Sequence, residues 1–169
     1  LREVAYRSAE LTHAHHLGKE GAAIQAYAVA LAVQTEKKRF DPEVFIEKMI
    51  QYTRSNIYRE KLQNAKRLLV SGGEKDVIKI LGNSVEAFNS VPTAIFCFAK
   101  NYDKYAETVL YAVKLGGDTD TIASMSGAIA GALHGDDGIP EFWKRKLEKA
   151  DYIKSLAENL WKLKLSMQK

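Results

Sequence analysis

Apolar positions along the chain recur at three- and four-residue spacing, and no stretch keeps the two-residue alternation of a half-buried strand. Residues 2–16 follow the helical rhythm, with Gly18 in the HLG stretch placed to stop that segment. Residues 20–37 contain AAIQAYAVALAVQ, apolar nearly all round, which predicts a central, buried helix. Asp41–Pro42 supplies a capping side chain and a proline at the first helical position, opening EVFIEKMIQYTR. A helix over about 57–69 leads to the turn SGG at 71–73, and a short one follows near 74–81. Ser90 reads as the cap of the next helix, SVPTAIFCFAK, with Pro92 in its first turn. Residues 103–115 form another, with Val109 and Val113 on one side. After GGDTDT comes a helix to about Leu133, then the loop GDDGIP, a helix opened by Pro140, and a last helix capped by Asp151. The pattern predicts an all-α chain, one layered helical domain over residues 1–169, with no repeat and no linker.

Composition adds limits to this picture. The chain has 169 residues, 46% hydrophobic and 27% charged, enough to bury a sizeable core. No apolar run reaches the ~18 residues of a membrane span, so no membrane partner is expected. Twenty-five basic residues stand against 21 acidic ones, an excess too slight to predict direct nucleic-acid binding. The excess is densest in KRKLEKADYIKSLAENLWKLKLSMQK, where interleaved acidic and apolar residues read as the solvated face of a helix. Cys97, the single cysteine, lies in AIFCFA and reads as a buried thiol. Its solitude fits a reducing interior, so the expected location is intracellular: cytoplasmic, nuclear or mitochondrial.

The chemistry concentrates in GGDTDT at 116–121. Carboxylates two residues apart cannot share a face of a regular helix, but at a turn they converge, and clustered oxygens suit hard divalent cations. Asp and Thr are also good helix caps, and glycine is a good helix stop, so a metal site and a simple cap both remain open. A D-x-D pair also occurs in haloacid-dehalogenase phosphatases and nucleotide-sugar glycosyltransferases. Both place it after an apolar strand, whereas ETVLYAVKLGG is helical in pattern. Behind the turn, Gly127, Gly131 and Gly135, with Ala128 and Ala132, offer a smooth side for close helix packing. His13, His15 and His16 read as exposed helix histidines and Asp136–Asp137 as a surface turn. Phe88, Phe96 and Phe98 read as core, and Trp143 and Trp161 as helix anchors.

The stretch LGGDTDTIASMSGAIAGALHG resembles the C-terminal metal motif of the ADP-ribosylglycohydrolase family. LTHAHHLGKEGAAIQAYAVALAVQ and LGNSVEAFNSVPTAIFCFAK are most similar to its serine-ADP-ribose hydrolase branch, so the resemblance covers most of the chain. It implies an all-α orthogonal helical bundle with two magnesium ions, incomplete in this chain. By the same resemblance, Asp118, Asp120 and Thr121 match one group of magnesium ligands, with Asp120 bridging both ions. His13 matches a substrate-pocket histidine near the diphosphate and ribose of ADP-ribose. Gly82, Ser84 and Val85 match a loop at the adenosine end, where the family's usual glycine is replaced by Ser84.

The family's acid/base glutamate, its other acidic metal motif and its glycine-rich phosphate loop have no counterpart in residues 1–169. No catalytic residue is therefore expected in this chain. It is expected to be the C-terminal portion of a longer protein, with the N-terminal part as its partner. The reaction implied is magnesium-dependent hydrolysis of O-glycosidic ADP-ribose linkages, on serine-ADP-ribosylated proteins, poly(ADP-ribose) or O-acetyl-ADP-ribose. Two other readings stand beside it: a non-catalytic ADP-ribose binder or crystallin-like relative, and a hydrolase of arginine-linked ADP-ribose.

Overall fold

A computed structural model describes residues 1–167, and among these the chain is helical with no strand. It divides into two compact units, Leu1–Gly138 and Ile139–Lys169. The first unit contains α1 (Arg2–Glu10), α2 (His16–Val33), α3 (Pro42–Tyr52), α4 (Asn56–Ser71), α5 (Glu74–Ile80), α6 (Ala87–Lys100), α7 (Tyr105–Lys114) and α8 (Thr119–His134). Short 3₁₀ turns at Lys37–Arg39 and Asp136–Gly138 complete it. No helix among the described residues is long and apolar enough to cross a membrane.

The centre belongs to α6 and not to α2. Ten consecutive residues of α6, Ser90–Ala99, are buried, and the helix packs on α2, α3, α4, α7 and α8. Helix α2, expected at the centre from its apolar run, buries one face through Ala23, Ile24, Ala28 and Ala32 and leaves the other half-buried. Phe98 meets the rings of Phe40 and Phe45 at 5.1 and 5.2 Å, anchoring the start of α3 to the core. Phe96 and Cys97 are fully buried as expected, and Phe88 is half-buried against the core. Burial pushes the Cys97 thiol up, which keeps it an inert packing group.

Two helix boundaries and one buried face in this unit differ from the sequence expectation. Gly18 does not stop a helix: α1 ends at Glu10 and Gly18 lies in the first turn of α2. A β-carbon there would sit 2.9 Å from the His13 β-carbon, so glycine serves the close return of the chain. Ser90 does not cap α6, which starts three residues earlier at Ala87. The Ser90 hydroxyl instead donates to the Glu86 carbonyl at 3.3 Å, and Pro92 lies inside the helix. On α7 the buried face is Thr108 and Ala112, while Val113 is half exposed.

The cap expected at Asp41 forms. Asp41 Oδ1 accepts from the Glu43 and Val44 amides at 2.8 and 3.0 Å, opening α3. Gly127 and Gly131 let α7 close on α8, with a Gly127 β-carbon 3.3 Å from both the Tyr105 hydroxyl and a Val109 methyl. Gly135 does not belong to that packing face: it ends α8 with φ +72 and nothing within 4 Å of its β-carbon position.

The second unit holds α9 (Glu141–Lys146) and α10 (Ala150–Ser166). Pro140 precedes α9 as expected, but Asp151 lies inside α10, whose cap position is Lys149 at φ 56. Trp161 is 52% exposed, with the Lys164 ammonium 4.9 Å from its ring centroid.

Candidate functional site

The acidic turn begins where α7 runs out. Gly116 and Gly117 both have φ +70, the left-handed region that side-chain-bearing residues avoid, and together they swing the chain into α8. Asp118 follows at the N-cap position, with φ −79 and ψ 62, and its carbonyl accepts from the Ile122 amide at 3.0 Å. Its side chain, however, makes no capping bond. The carboxyl of Asp118 instead meets that of Asp120, whose Oδ1 also accepts from the Thr121 amide at 2.8 Å. The Thr121 amide, then the Asp118 contact, hold Asp120 below the usual carboxylate range. Asp120 and Thr121 are exposed and Asp118 is half-buried.

The second predicted segment, Gly82–Val85, links α5 to α6. Gly82 has φ +86, and a β-carbon there would lie 2.7 Å from the Asn89 Cγ. Its carbonyl accepts from Thr93 Oγ1 at 2.6 Å. Lys61 on α4 donates to the Ile80 and Leu81 carbonyls at 3.0 and 2.6 Å and to Asn89 Oδ1 at 2.9 Å, tying off the end of α5. Ser84 donates to the Glu86 carboxylate and accepts from Asn89 Nδ2 at 2.9 Å. Ser84 is not among the residues with positive φ, so its side chain sits on ordinary backbone. Val85 is 76% exposed.

The fold joins these two segments. The Asp118 amide donates to the Asn83 carbonyl at 2.7 Å, and Asn83 Nδ2 donates back to the Leu115 carbonyl at 2.9 Å. Gly117 is pressed so tightly on Asn83 that a β-carbon would overlap its carbonyl oxygen and stand 2.6 Å from its Cγ. His13 is exposed in the turn between α1 and α2, with Nδ1 2.8 Å from Thr12 Oγ1. On α2, which follows that turn, Gly21 lies close to Ala87 at the head of α6, 3.2 Å from a β-carbon position to the Ala87 β-carbon. Among the described residues, no three His, Cys, Asp or Glu side chains gather as a metal group. An open groove at the head of α3, lined by Phe40, Asp41, Glu47, Lys48, Lys66 and Tyr102, contains none of the predicted site residues.

The donors at the turn are all oxygens, the set that hard cations prefer, but two carboxylates and a hydroxyl make only part of a coordination shell. The sequence model of the ADP-ribosylglycohydrolase family matches residues 1–168. The chain belongs to the ADP-ribosylglycohydrolase family. It is 36% identical to ADP-ribosylhydrolase ARH3 of Gallus gallus over 193 residues, covering 96% of this chain and 52% of that protein. The corresponding figures for ADP-ribosylhydrolase ARH3 of Homo sapiens are 35% over 190 residues, 95% and 52%. ADP-ribosylarginine hydrolase Tri1 of Serratia proteamaculans is 34% identical over 99 residues, 56% of this chain and 26% of that protein. The chain spans about half the length of the ARH3 relatives it matches.

Within this ADP-ribosylglycohydrolase chain, Asn83 is the residue that sequence reasoning missed. It lies in LGNSVEAF beside three residues singled out, but its partners are Leu115 and Asp118, far along the chain. The glycine pair offers a direct check on the joint. Gly116→Ala is expected to cost about 1–2 kcal/mol for the left-handed backbone alone, since its β-carbon would meet only Asn83 Nδ2 at 4.0 Å. Gly117→Ala bears the same backbone cost and also displaces Asn83, so thermal unfolding should rank it clearly below Gly116→Ala. Equal midpoints would mean that the contact with Asn83 is not tight in solution.

Proposed function

We propose that this chain takes part in magnesium-dependent hydrolysis of O-glycosidic ADP-ribose linkages, on serine-ADP-ribosylated proteins, poly(ADP-ribose) or O-acetyl-ADP-ribose. Family membership and the activity named for the ARH3 relatives support the reaction class. The observation that carries the reading to this chain is the turn itself: Asp118 occupies a cap position without capping and turns its carboxyl on Asp120. Asp118, Asp120 and Thr121 would hold magnesium from one side, the remaining ligands coming from outside residues 1–169. Magnesium, when bound, supplies Lewis-acid polarisation and a template for the ribose hydroxyls and water.

The residues of this chain then bind and orient. Asp118 and Asp120 accept, and Thr121 contributes its hydroxyl, at the ribose end. Gly82 and Ser84 bring backbone and hydroxyl groups to the adenosine end, and the exposed Val85 gives the base an apolar surface. His13 offers a ring nitrogen toward the diphosphate. Proton transfer falls to a glutamate beyond this chain, because Asp118 and Asp120 are committed to cation binding.

The intact protein tests the substrate class. Release of free ADP-ribose from a serine-linked peptide, with none from an arginine-linked one, is the expected result. The opposite selectivity would move the reading to the arginine-linked class named for the Serratia relative. Calorimetric binding of ADP-ribose with no turnover of either peptide would assign the protein as a binder.

A further inference from the structure

We propose that Ser84 and Glu86 form an acceptor-only, negatively charged face at the adenosine end of the site, which takes the free 2′-hydroxyl of the adenosine ribose and rejects a 2′-phosphate there. The inference rests on the proposed function for the placement of adenosine at Gly82–Val85. It adds Glu86 as a specificity-determining residue.

The direction of the hydrogen bonds in this loop is fixed from the core outward. Lys61 on α4 has three N–H donors and no acceptor, and it gives them to the Ile80 carbonyl, the Leu81 carbonyl and Asn89 Oδ1. Asn89 must therefore face Ser84 with its Nδ2, which donates to Ser84 Oγ at 2.9 Å. Ser84 accepts there and has one proton, which goes to the Glu86 carboxylate. No donor is left on Ser84 for a ligand. What the pair offers is a lone pair of the hydroxyl and the open side of an exposed carboxylate.

Charge points the same way. The Ser84 hydroxyl, then the backbone amide of Glu86 itself, holds the Glu86 carboxyl below its ordinary range, so it is ionised at neutral pH. Glu86 stands at the N-cap position of α6, and its side chain makes no capping bond. The helix end supplies roughly half a positive charge, which a full negative charge outweighs. Lys61 lies behind Asn89 with its three donors taken, so it offers a phosphate no hydrogen bond. No lysine or arginine occurs between Leu81 and Ala99. Adenosine presents donors only at its exocyclic amine and its ribose hydroxyls. With the base laid on Val85, the ribose hydroxyls are the donors that meet the neighbouring acceptors. A carboxylate that accepts from a ribose 2′-hydroxyl repels the phosphate that would replace it.

Calorimetry on the intact protein with magnesium tests this with two probes, ADP-ribose and ADP-ribose 2′-phosphate. Wild type should bind ADP-ribose about ten-fold or more tighter than its 2′-phosphate. Glu86→Gln keeps the size and an acceptor for Ser84 and removes the charge. In that variant ADP-ribose should bind a few-fold more weakly and the 2′-phosphate more tightly, closing the ratio to about three-fold or less. Discrimination that survives in Glu86→Gln comes from bulk and not from charge, and overturns the inference. Equal affinities in wild type overturn it too, and leave the proposed function standing. If wild type binds neither probe, the functional reading fails and this one with it. A second measurement needs no variant: raising salt from about 0.05 to about 0.5 M should narrow the wild-type ratio, because the carboxylate is exposed and its field is screened. A ratio indifferent to salt overturns the inference even if Glu86→Gln does not fold.

Discussion

Replacing Glu20 with alanine is expected to lower the unfolding free energy by about 3–5 kcal/mol, the cost of removing one partner from a buried ion pair. Glu20 is 4% exposed on the inner face of α2. Its Oε2 accepts from the Arg2 guanidinium and the Tyr6 hydroxyl on α1. Its Oε1 accepts from Thr53 Oγ1 at 3.0 Å and from the Arg54 amide at 2.7 Å, at the junction of α3 and α4. Alanine would strand all four donors. For a chain of this size the midpoint should fall by roughly 6–20 °C. A shift under about 2 °C would mean that water replaces the carboxylate without cost. Glu20→Gln keeps the shape and should fall between the two.

The same group sets an acid limb. Burial alone would raise the Glu20 carboxyl, but the Tyr6 hydroxyl, the Arg54 amide, the Arg2 charge and Thr53 outweigh it and hold it below the ordinary value. The unfolded chain then binds the proton more readily, near the ordinary carboxylate pKa of about 4.3. Glu20 therefore contributes its full stabilisation above that pH and loses it as pH falls through the lower folded value. Wild type should lose stability more steeply than Glu20→Gln between about pH 5 and pH 3. Parallel curves would show that the carboxylate is not preferentially ionised in the fold. The network also fixes α1 against α2, and so the turn that carries His13.

Local signals were legible in the sequence and non-local ones were not. Asp41–Pro42 and the SGG turn need only their neighbours, and both appear where the sequence places them. The head of α6 has no such signature. Glu86 occupies the cap position without a side-chain bond, so the nearest serine and proline, Ser90 and Pro92, offered a false start. Gly18 and Gly135 are both glycines at helix ends, yet Gly18 admits His13 and Gly135 terminates α8 with positive φ. A sequence does not say which of those two uses a glycine has. At the site, the glycine pair and the acids were legible because backbone angle and charge are properties of those residues themselves. Asn83 was not, because its partners lie across the bundle and its role exists only after α7 and α8 have packed. The central place of α6 was likewise decided by packing on five neighbours, which an apolar run alone could not rank above α2.

Asp120→Ala should abolish magnesium-dependent release of ADP-ribose by the intact protein, and weaken magnesium binding by about 100-fold or more. That factor is the upper end of what removing a supporting residue costs, and Asp120 is proposed as a ligand itself. The fold should be spared. Asp120 is exposed in the first turn of α8, while the helix start is held by Asp118 through its carbonyl and through its amide on Asn83. Asp120→Asn sharpens the test, since it keeps an oxygen for the Thr121 amide and removes the charge. If Asp120 served only as a favourable charge at a helix end, both variants would shift the unfolding midpoint slightly and leave magnesium affinity unchanged. If it holds the cation, both lose affinity while the midpoint in chelator stays near wild type. Thr121→Val, which removes a neutral donor, should weaken binding less than either. Undiminished, magnesium-dependent hydrolysis in Asp120→Ala would sink the assignment of this turn as a metal site, and Asp118 with it, because the close pairing of the two carboxyls is the reason for reading the turn that way.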